Sequence, residues 1–319
     1  MDTLAQTAIE WSVSLDPDSV LQAFISYLNE RDRSSFTVSA FVSDVRAFAV
    51  WCGVEYHIPF SIDNFNRHDL RAYQRYSCDG KHSAPATWNR RISGLRLFSN
   101  WLRQVDLITY DPTNVLARMA EERNAPRWFT AGEYRAFTIA LEKHVNIRHK
   151  GIGELRKATH LRDYAAVSLM LYAGLRVAEL CALDVGDVSL GERSGMVVVR
   201  LGKGRKLRRV PLSHQARAGI SPWMDALHGQ DDDPLMVNED GKRLSTRAIQ
   251  RLVAELGRVA RIDHPVSPHD LRHTFAKRMA KDGERLEVIK ELLGHSNLNT
   301  TLIYVQPGWE DLQNAVEKI

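Results

Sequence analysis

Residues 267–304 read SPHDLRHTFAKRMAKDGERLEVIKELLGHSNLNTTLIY. Ser267 followed by Pro268 is a helix entrance, because a proline at the first helical position gives up no backbone hydrogen bond, and Gly283 closes that helix. Glu284–Leu293 forms the next helix and Gly294 stops it; a short helix begun at Asn299 carries the stretch to Tyr304. Upstream, Ala165–Tyr172 is almost wholly apolar and continues the helical segment from Arg162, so it reads as a buried helix ended by Gly174. Met196–Leu201 and Leu207–Leu212 flank Gly202-Lys203-Gly204-Arg205-Lys206 as a β-hairpin with a glycine-rich basic turn, the one clear β signal. Thr130 and Glu133 have the spacing of a capping box, in which each side chain satisfies the other's free backbone donor. This half of the chain is therefore expected to be a mixed α/β domain with a small antiparallel sheet.

Before it the pattern is helical throughout. Leu21, Phe24, Ile25 and Leu28 fall at i, i+3, i+4 and i+7, and Phe41, Val45, Phe48, Ala49 and Cys52 repeat the pattern. A helix around Asp69–Tyr76 follows. A longer one, from about Thr87 to Val105, carries Ile92, Leu95, Phe98, Trp101 and Leu102 on one side. The prolines of Tyr110-Asp111-Pro112 and Asn124-Ala125-Pro126-Arg127 bound a charge-rich stretch that reads as a linker. The expected fold is mainly α: a polar tail over 1–16, a helical bundle over 17–105, a linker over 106–126, and the second domain over 127–319. At the far end Trp309, Leu312, Val316 and Ile319 make one apolar stripe after Gly308, a C-terminal helix that could dock on its own domain or on a neighbouring copy.

The bulk numbers agree with a folded two-domain chain. It has 319 residues, 44% hydrophobic and 26% charged, which is ordinary for globular protein and too long for one core. Its 43 basic and 39 acidic side chains leave +4, a mild excess that suits a polyanion without demanding one. Cys52, Cys78 and Cys181 lie far apart, so neither a disulfide framework nor a zinc site is indicated and a reducing cytoplasm fits. The N-terminus has no basic region followed by an apolar one, and no membrane span is expected.

Four pieces of the second domain carry chemistry: AGLRVAEL around Arg176, RLGKGRK around Lys203, SPHDLRH around His269 and Arg272, and LLGHSNLNTTLIY with His295 and Tyr304. Singly each has a plain reading. An arginine after a buried helix is usually a surface ion-pair residue, a basic turn is usually solvated, and a tyrosine is more often core than reactive. In this order and spacing they resemble the active-site motifs of the tyrosine site-specific recombinases, the lambda-integrase family with its Xer and Cre types. The resemblance covers the second domain strongly. The first is similar to the family's helical, SAM-like core-binding domain in length and in SAPATWNRRISGLRLFSNWL.

The residue chemistry agrees. Breaking a phosphodiester requires cationic groups around a dianionic transition state, and a guanidinium donates paired hydrogen bonds to phosphate oxygens as a lysine does not. Arg176 and Arg272 meet that need. His269, three residues before Arg272, shares its helical face. Tyr304 is the candidate nucleophile; its phenol, with an ordinary pKa of ~10, needs a positive field and a proton acceptor, and His269 is the candidate acceptor. Lys203, on a glycine-flanked turn, is free to protonate the leaving 5′ oxygen. The resemblance implies that His295 hydrogen-bonds the phosphate and that Glu179 supports the arginine or histidine positions. Lys81, Arg90, Arg91, Arg96 and Arg103 in the first domain, and the basic segment 143–162, are weaker candidates for phosphate contact.

The resemblance further implies a clamp of two domains on double-stranded DNA with an inverted-repeat core site. It implies a 3′-phosphotyrosine intermediate, a Holliday junction, and a homotetramer on DNA, with a partner recombinase or accessory proteins as further requirements in some members. No cofactor, metal or ATP is expected. Integration, excision, and dimer or cointegrate resolution are all compatible roles in a cytoplasmic, nucleoid-associated enzyme. Two rival readings stay open: a topoisomerase of the related tyrosine type, and a DNA-binding regulator that keeps the fold without the reaction.

Overall fold

A computed structural model describes residues 17–31, 35–57, 59–79, 83–121, 126–146, 154–200, 207–295, 299–304 and 316–317. The chain divides into two compact units, Met1–Asn124 and Ala125–Ile319.

The first unit is helical: α1 (Pro17–Glu30), α2 (Ser35–Tyr56), α3 (Arg67–Asp79) and α4 (Pro85–Gln104). The apolar stripes read from the sequence meet in one core, where Phe24, Phe48, Leu70, Trp88, Ile92, Leu95, Phe98 and Leu102 are fully buried. Aromatic rings meet edge-on there, Phe98 against Phe24 at 5.1 Å and against Phe65 at 5.2 Å, the geometry that aligns a positive ring edge with a negative face. Thr37–Tyr56 of α2 is long and apolar enough to cross a membrane by composition. Its Val38, Val42, Val45, Phe48 and Cys52 are instead buried in the bundle core.

The stretch expected as a linker over 106–126 is largely part of this unit. Trp88 Nε1 donates to the Ala117 carbonyl at 3.0 Å, Asn89 exchanges hydrogen bonds with the Met119 backbone, and Leu116 is buried. Asp111 accepts from Ser99 and from the Thr113 backbone, pinning the turn after α4. Buried polar groups on α4 need partners, and this strand of backbone supplies them. Arg90 is ion-paired to the buried Asp44 at 2.6 Å, Arg91 donates to Ser83, and Arg96 to the Leu116 carbonyl. Three of the arginines considered for phosphate contact thus have partners within their own unit; Lys81 lies outside the described residues.

The second unit contains α5 (Ala131–Asn146), α6 (Glu154–Ala173), α7 (Val177–Ala182), strands β1 (Val188–Leu190), β2 (Gly195–Arg200) and β3 (Leu207–Pro211), then α8 (His214–Leu227), α9 (Thr246–Val259), α10 (Pro268–Lys281), α11 (Leu286–Leu293) and α12 (Asn299–Leu302). The capping box at Thr130 and Glu133 is formed, each side chain bonded to the other's backbone. From Ala165 to Leu171 helix α6 is apolar at every position but Ser168 because it is enclosed, packing against α8 and α10 among others. Gly174 ends it at φ +67°, where a Cβ would lie 2.5 Å from the Phe275 ring. Segment 143–162 is mostly helix at its two ends, with 147–153 outside the described residues, and Arg162 is tied to Asp163 and the Val237 carbonyl.

The sheet is antiparallel in the order β1-β2-β3, with Val197 opposite Val210 and Val199 opposite Arg208. The hairpin was legible; β1 is an addition. Along β3 burial alternates, so Arg208 and Val210 face inward together. The turn 201–206 lies outside the described residues.

Candidate active site

Four elements meet at the end of α11. Gly294 takes a left-handed backbone, φ +62°, and terminates the helix; the carbonyls of its last turn have no helical partner and carry the negative end of the helix dipole. Three successive carbonyls there receive three arginines. Arg208 Nε, from β3, donates to Leu292 O at 3.0 Å. Arg272, from α10, donates to Leu293 O, and also to Gly174 O at 2.6 Å. Arg176, just before α7, donates to Gly294 O at 3.3 Å.

Glu179 stands on the other side of the same cations. Arg208 meets its carboxylate with two bonds, 2.7 and 2.8 Å, Arg176 Nη1 donates at 2.7 Å, and Arg272 lies 3.8 Å away. It also accepts from the Arg176 backbone N–H at 2.8 Å, because i+3 of a helix start is where a carboxylate can cap. Burial alone would raise its pKa; the hydrogen bonds and charges of Arg208 and Arg176 outweigh that and hold it at about 2. Arg272 is 3% exposed. Burial, then the charge of Arg176, brings its pKa down to about 9, so it stays a cation at neutral pH.

His295 follows Gly294, with its Nδ1 3.0 Å from Thr301 Oγ1 in α12, the short helix just before Tyr304. Tyr304 is 1% exposed, packed with Ala276, Ile289 and Leu293. Its ring lies 6.5 Å from that of His295, nearly parallel. Burial raises the Tyr304 pKa while Arg272 and Arg176 pull it down. Burial also pushes His295 to about 4, assisted by Arg272 and Arg176.

The Tyr304 hydroxyl meets a histidine, but it is His273 rather than His269: His273 Nδ1 to Tyr304 Oη is 2.6 Å. His269 lies one helical turn earlier on α10, exposed, with its ring centre 6.2 Å from that of His273. A spacing of four residues puts both on one face, and Tyr304 arrives at the second of them. The structure thus brings Arg176, Arg272, His295 and Tyr304 together, places His269 at their edge, and adds Arg208 and His273. Lys203 lies outside the described residues. Either addition had a signal in the sequence: the two-residue period of β3 puts Arg208 on the face of Val210, and His273 sits at i+4 from His269.

Among the described residues, one group of ligand-type side chains, Glu133, Asp263 and His264, lies close enough together to hold a metal. Glu133 is already committed to capping Thr130 and to His264 Nε2 at 3.0 Å.

A buried tyrosine packed on the helix end that seats three arginines, on a helical domain with one small antiparallel sheet and preceded by a helical bundle, is the arrangement of the tyrosine recombinases. Residues 140–309 match the phage integrase family and residues 21–105 the phage integrase N-terminal SAM-like domain. The chain belongs to the phage integrase family, and it is a tyrosine recombinase, an enzyme that breaks and rejoins DNA strands. It is 31% identical to a tyrosine recombinase of Thermosipho africanus, covering 95% of this chain and 100% of that one. It is 32% identical to the tyrosine recombinase XerC of Corynebacterium glutamicum, covering 90% and 86%. Among solved structures the fold is shared with XerH site-specific recombinase bound to palindromic difH substrate, TM-score 0.70 at 19% identity over 92% of this chain and 84% of that one. It is shared also with a lambda integrase dimer bound to a COC′ core site, TM-score 0.65 at 17% identity over 96% and 81%.

Proposed function

We propose that this recombinase cuts DNA by attack of Tyr304 on a scissile phosphorus, leaving a 3′-phosphotyrosine and a free 5′ hydroxyl. The observation that carries this reading is that Tyr304 packs on Leu293, at the helix end whose carbonyls seat Arg272 and Arg176, with its hydroxyl 2.6 Å from His273 Nδ1. The phosphate approaches over Arg176 and His269, the solvent-facing members of the group. Arg176 and Arg272 neutralise the charge that builds on the nonbridging oxygens, the electrostatic contribution that dominates such transfers. His295 adds a hydrogen bond to the phosphate, and Lys203 protonates the leaving oxygen. The phosphotyrosine keeps the bond energy, so neither ATP nor metal takes part.

On this reading the protein acts on double-stranded DNA at an inverted-repeat core site. Four copies pair two sites and exchange strands through a Holliday junction, in integration, excision or resolution within the nucleoid. The C-terminal stripe over 309–319, which apart from 316–317 lies outside the described residues, is proposed to dock on a neighbouring copy.

Covalent trapping tests the chemistry. The full chain is offered a nicked duplex carrying a site selected by the protein from a random library, and covalent complex is measured with and without chelator. Wild-type protein should trap DNA equally in both conditions, and Tyr304→Phe should bind but not trap. Arg176→Lys and Arg272→Lys should each lose on the order of 10²-fold or more in rate. Full trapping by Tyr304→Phe, or abolition by chelator, overturns the reading.

A further inference from the structure

We propose that His273 takes the phenolic proton of Tyr304 as that oxygen attacks phosphorus, a role that rests on Tyr304 being the nucleophile. Its Nδ1 is the atom in contact with the hydroxyl, at 2.6 Å, within the reach required of a general base. Burial pushes the His273 pKa down to about 4, with His269 and Arg272 adding to the effect and Asp270 opposing it. The imidazole is therefore neutral. With Tyr304 protonated, the hydroxyl donates and Nδ1 accepts, leaving the ring proton on Nε2.

A base so weak looks unsuited to a phenol until the phosphate is considered. Part of the depression comes from the Arg272 charge, and Arg176 and Arg208 stand on the same Glu179 carboxylate as Arg272. His295, whose ring lies 6.5 Å from that of Tyr304, is itself held neutral by burial and these arginines. A phosphodiester anion seated on Arg176 and Arg272 cancels positive charge beside His273 and raises its proton affinity. The empty site thus keeps the proton on the tyrosine, and the loaded site makes His273 able to receive it.

The step balances. The Tyr304 O–H bond breaks and the proton passes to His273 Nδ1. A bond forms from Tyr304 Oη to phosphorus, the bond from phosphorus to the 5′ oxygen breaks, and that oxygen takes a proton from Lys203. In resealing, the 5′ hydroxyl attacks phosphorus, its proton returns to Lys203, and the departing phenolate recovers its own from His273. No other reactant is consumed.

The test compares single-turnover cleavage of the nicked duplex by wild type, His273→Asn, His273→Gln and His269→Asn. Each is made with tyrosine and with a fluorotyrosine at position 304, whose more acidic phenol needs less help from a base. The His273 variants should bind the site normally and cleave on the order of 10²-fold or more slowly, and fluorination should shrink that deficit several-fold. The His269→Asn deficit should not respond to fluorination. Cleavage by His273→Asn and His273→Gln within a few-fold of wild type overturns the proposal. A deficit equal with both phenols overturns it as well, since that is the mark of lost packing or positioning. Trapping by Tyr304→Phe would remove the nucleophile itself, an outcome distinct from either.

Discussion

Replacing Glu179 by glutamine keeps the shape of the side chain and removes one charge from the middle of three arginines. In the native protein its carboxylate is held at about 2 against an ordinary 4.5. At about 1.4 kcal/mol per unit the gap amounts to roughly 3 kcal/mol of stabilisation at neutral pH. The side chain is 8% exposed, so solvent screening takes little from this. An independent route gives a similar figure, because removing one partner of a buried ion pair costs about 3–5 kcal/mol. Since the folded value lies below the unfolded one, the stabilisation is complete above the unfolded pKa of 4.5 and is lost as the pH falls through it toward about 2. Calorimetry on the full chain should therefore show the transition of the second unit falling by roughly 6–12 °C in Glu179→Gln near neutrality. Urea titrations at successively lower pH should show wild type and variant converging. A loss under about 1 kcal/mol, or a gap unchanged on acidification, would refute the electrostatic account of this cluster.

Two further expectations follow from particular atoms. In Gly294→Ala the new Cβ would stand 2.8 Å from Arg208 Nη1 at a backbone angle of +62°. The substitution should cost about 1–2 kcal/mol for the left-handed backbone alone and slow trapping by displacing Arg208; full stability with full activity would contradict the packing. Lys203→Ala should cleave poorly on ordinary DNA and recover much of its rate when the 5′-bridging oxygen is sulfur, a leaving group that scarcely needs a proton; recovery by Arg176→Ala instead would reassign the acid.

The periodicities of 3.6 and 2 and the glycine and proline stops were enough to locate the helices around Phe24, Phe48 and Phe98, the buried α6, the hairpin, and the pair α10 and α11. Strand β1 escaped because Val188-Ser189-Leu190 is too short to show alternation. The packing of residues 107–121 escaped because their value to the fold lies in backbone carbonyls offered to Trp88, Asn89 and Arg96, and backbone carries no sequence signal. At the site, Arg176, Arg272, His295 and Tyr304 were legible through the order of their motifs. Arg208 was hidden in a basic run that reads as solvated, although strand parity places it inside. His273 is hard to single out in the sequence because helical spacing from His269 points equally to Arg272 at i+3 and to His273 at i+4, and only the fold shows which of them Tyr304 meets.

The seating of Arg208, Arg272 and Arg176 on Leu292, Leu293 and Gly294 has a bearing on positional accuracy. The three side chains come from a strand, a helix and a helix entrance, and packing alone would let each drift independently. Successive carbonyls are spaced by peptide geometry, which is far stiffer than side-chain packing. Errors in placing the three cations are therefore correlated: thermal motion at the end of α11 displaces them as a set, and the separation of Arg176 from Arg272, the pair proposed to hold the phosphate, is preserved.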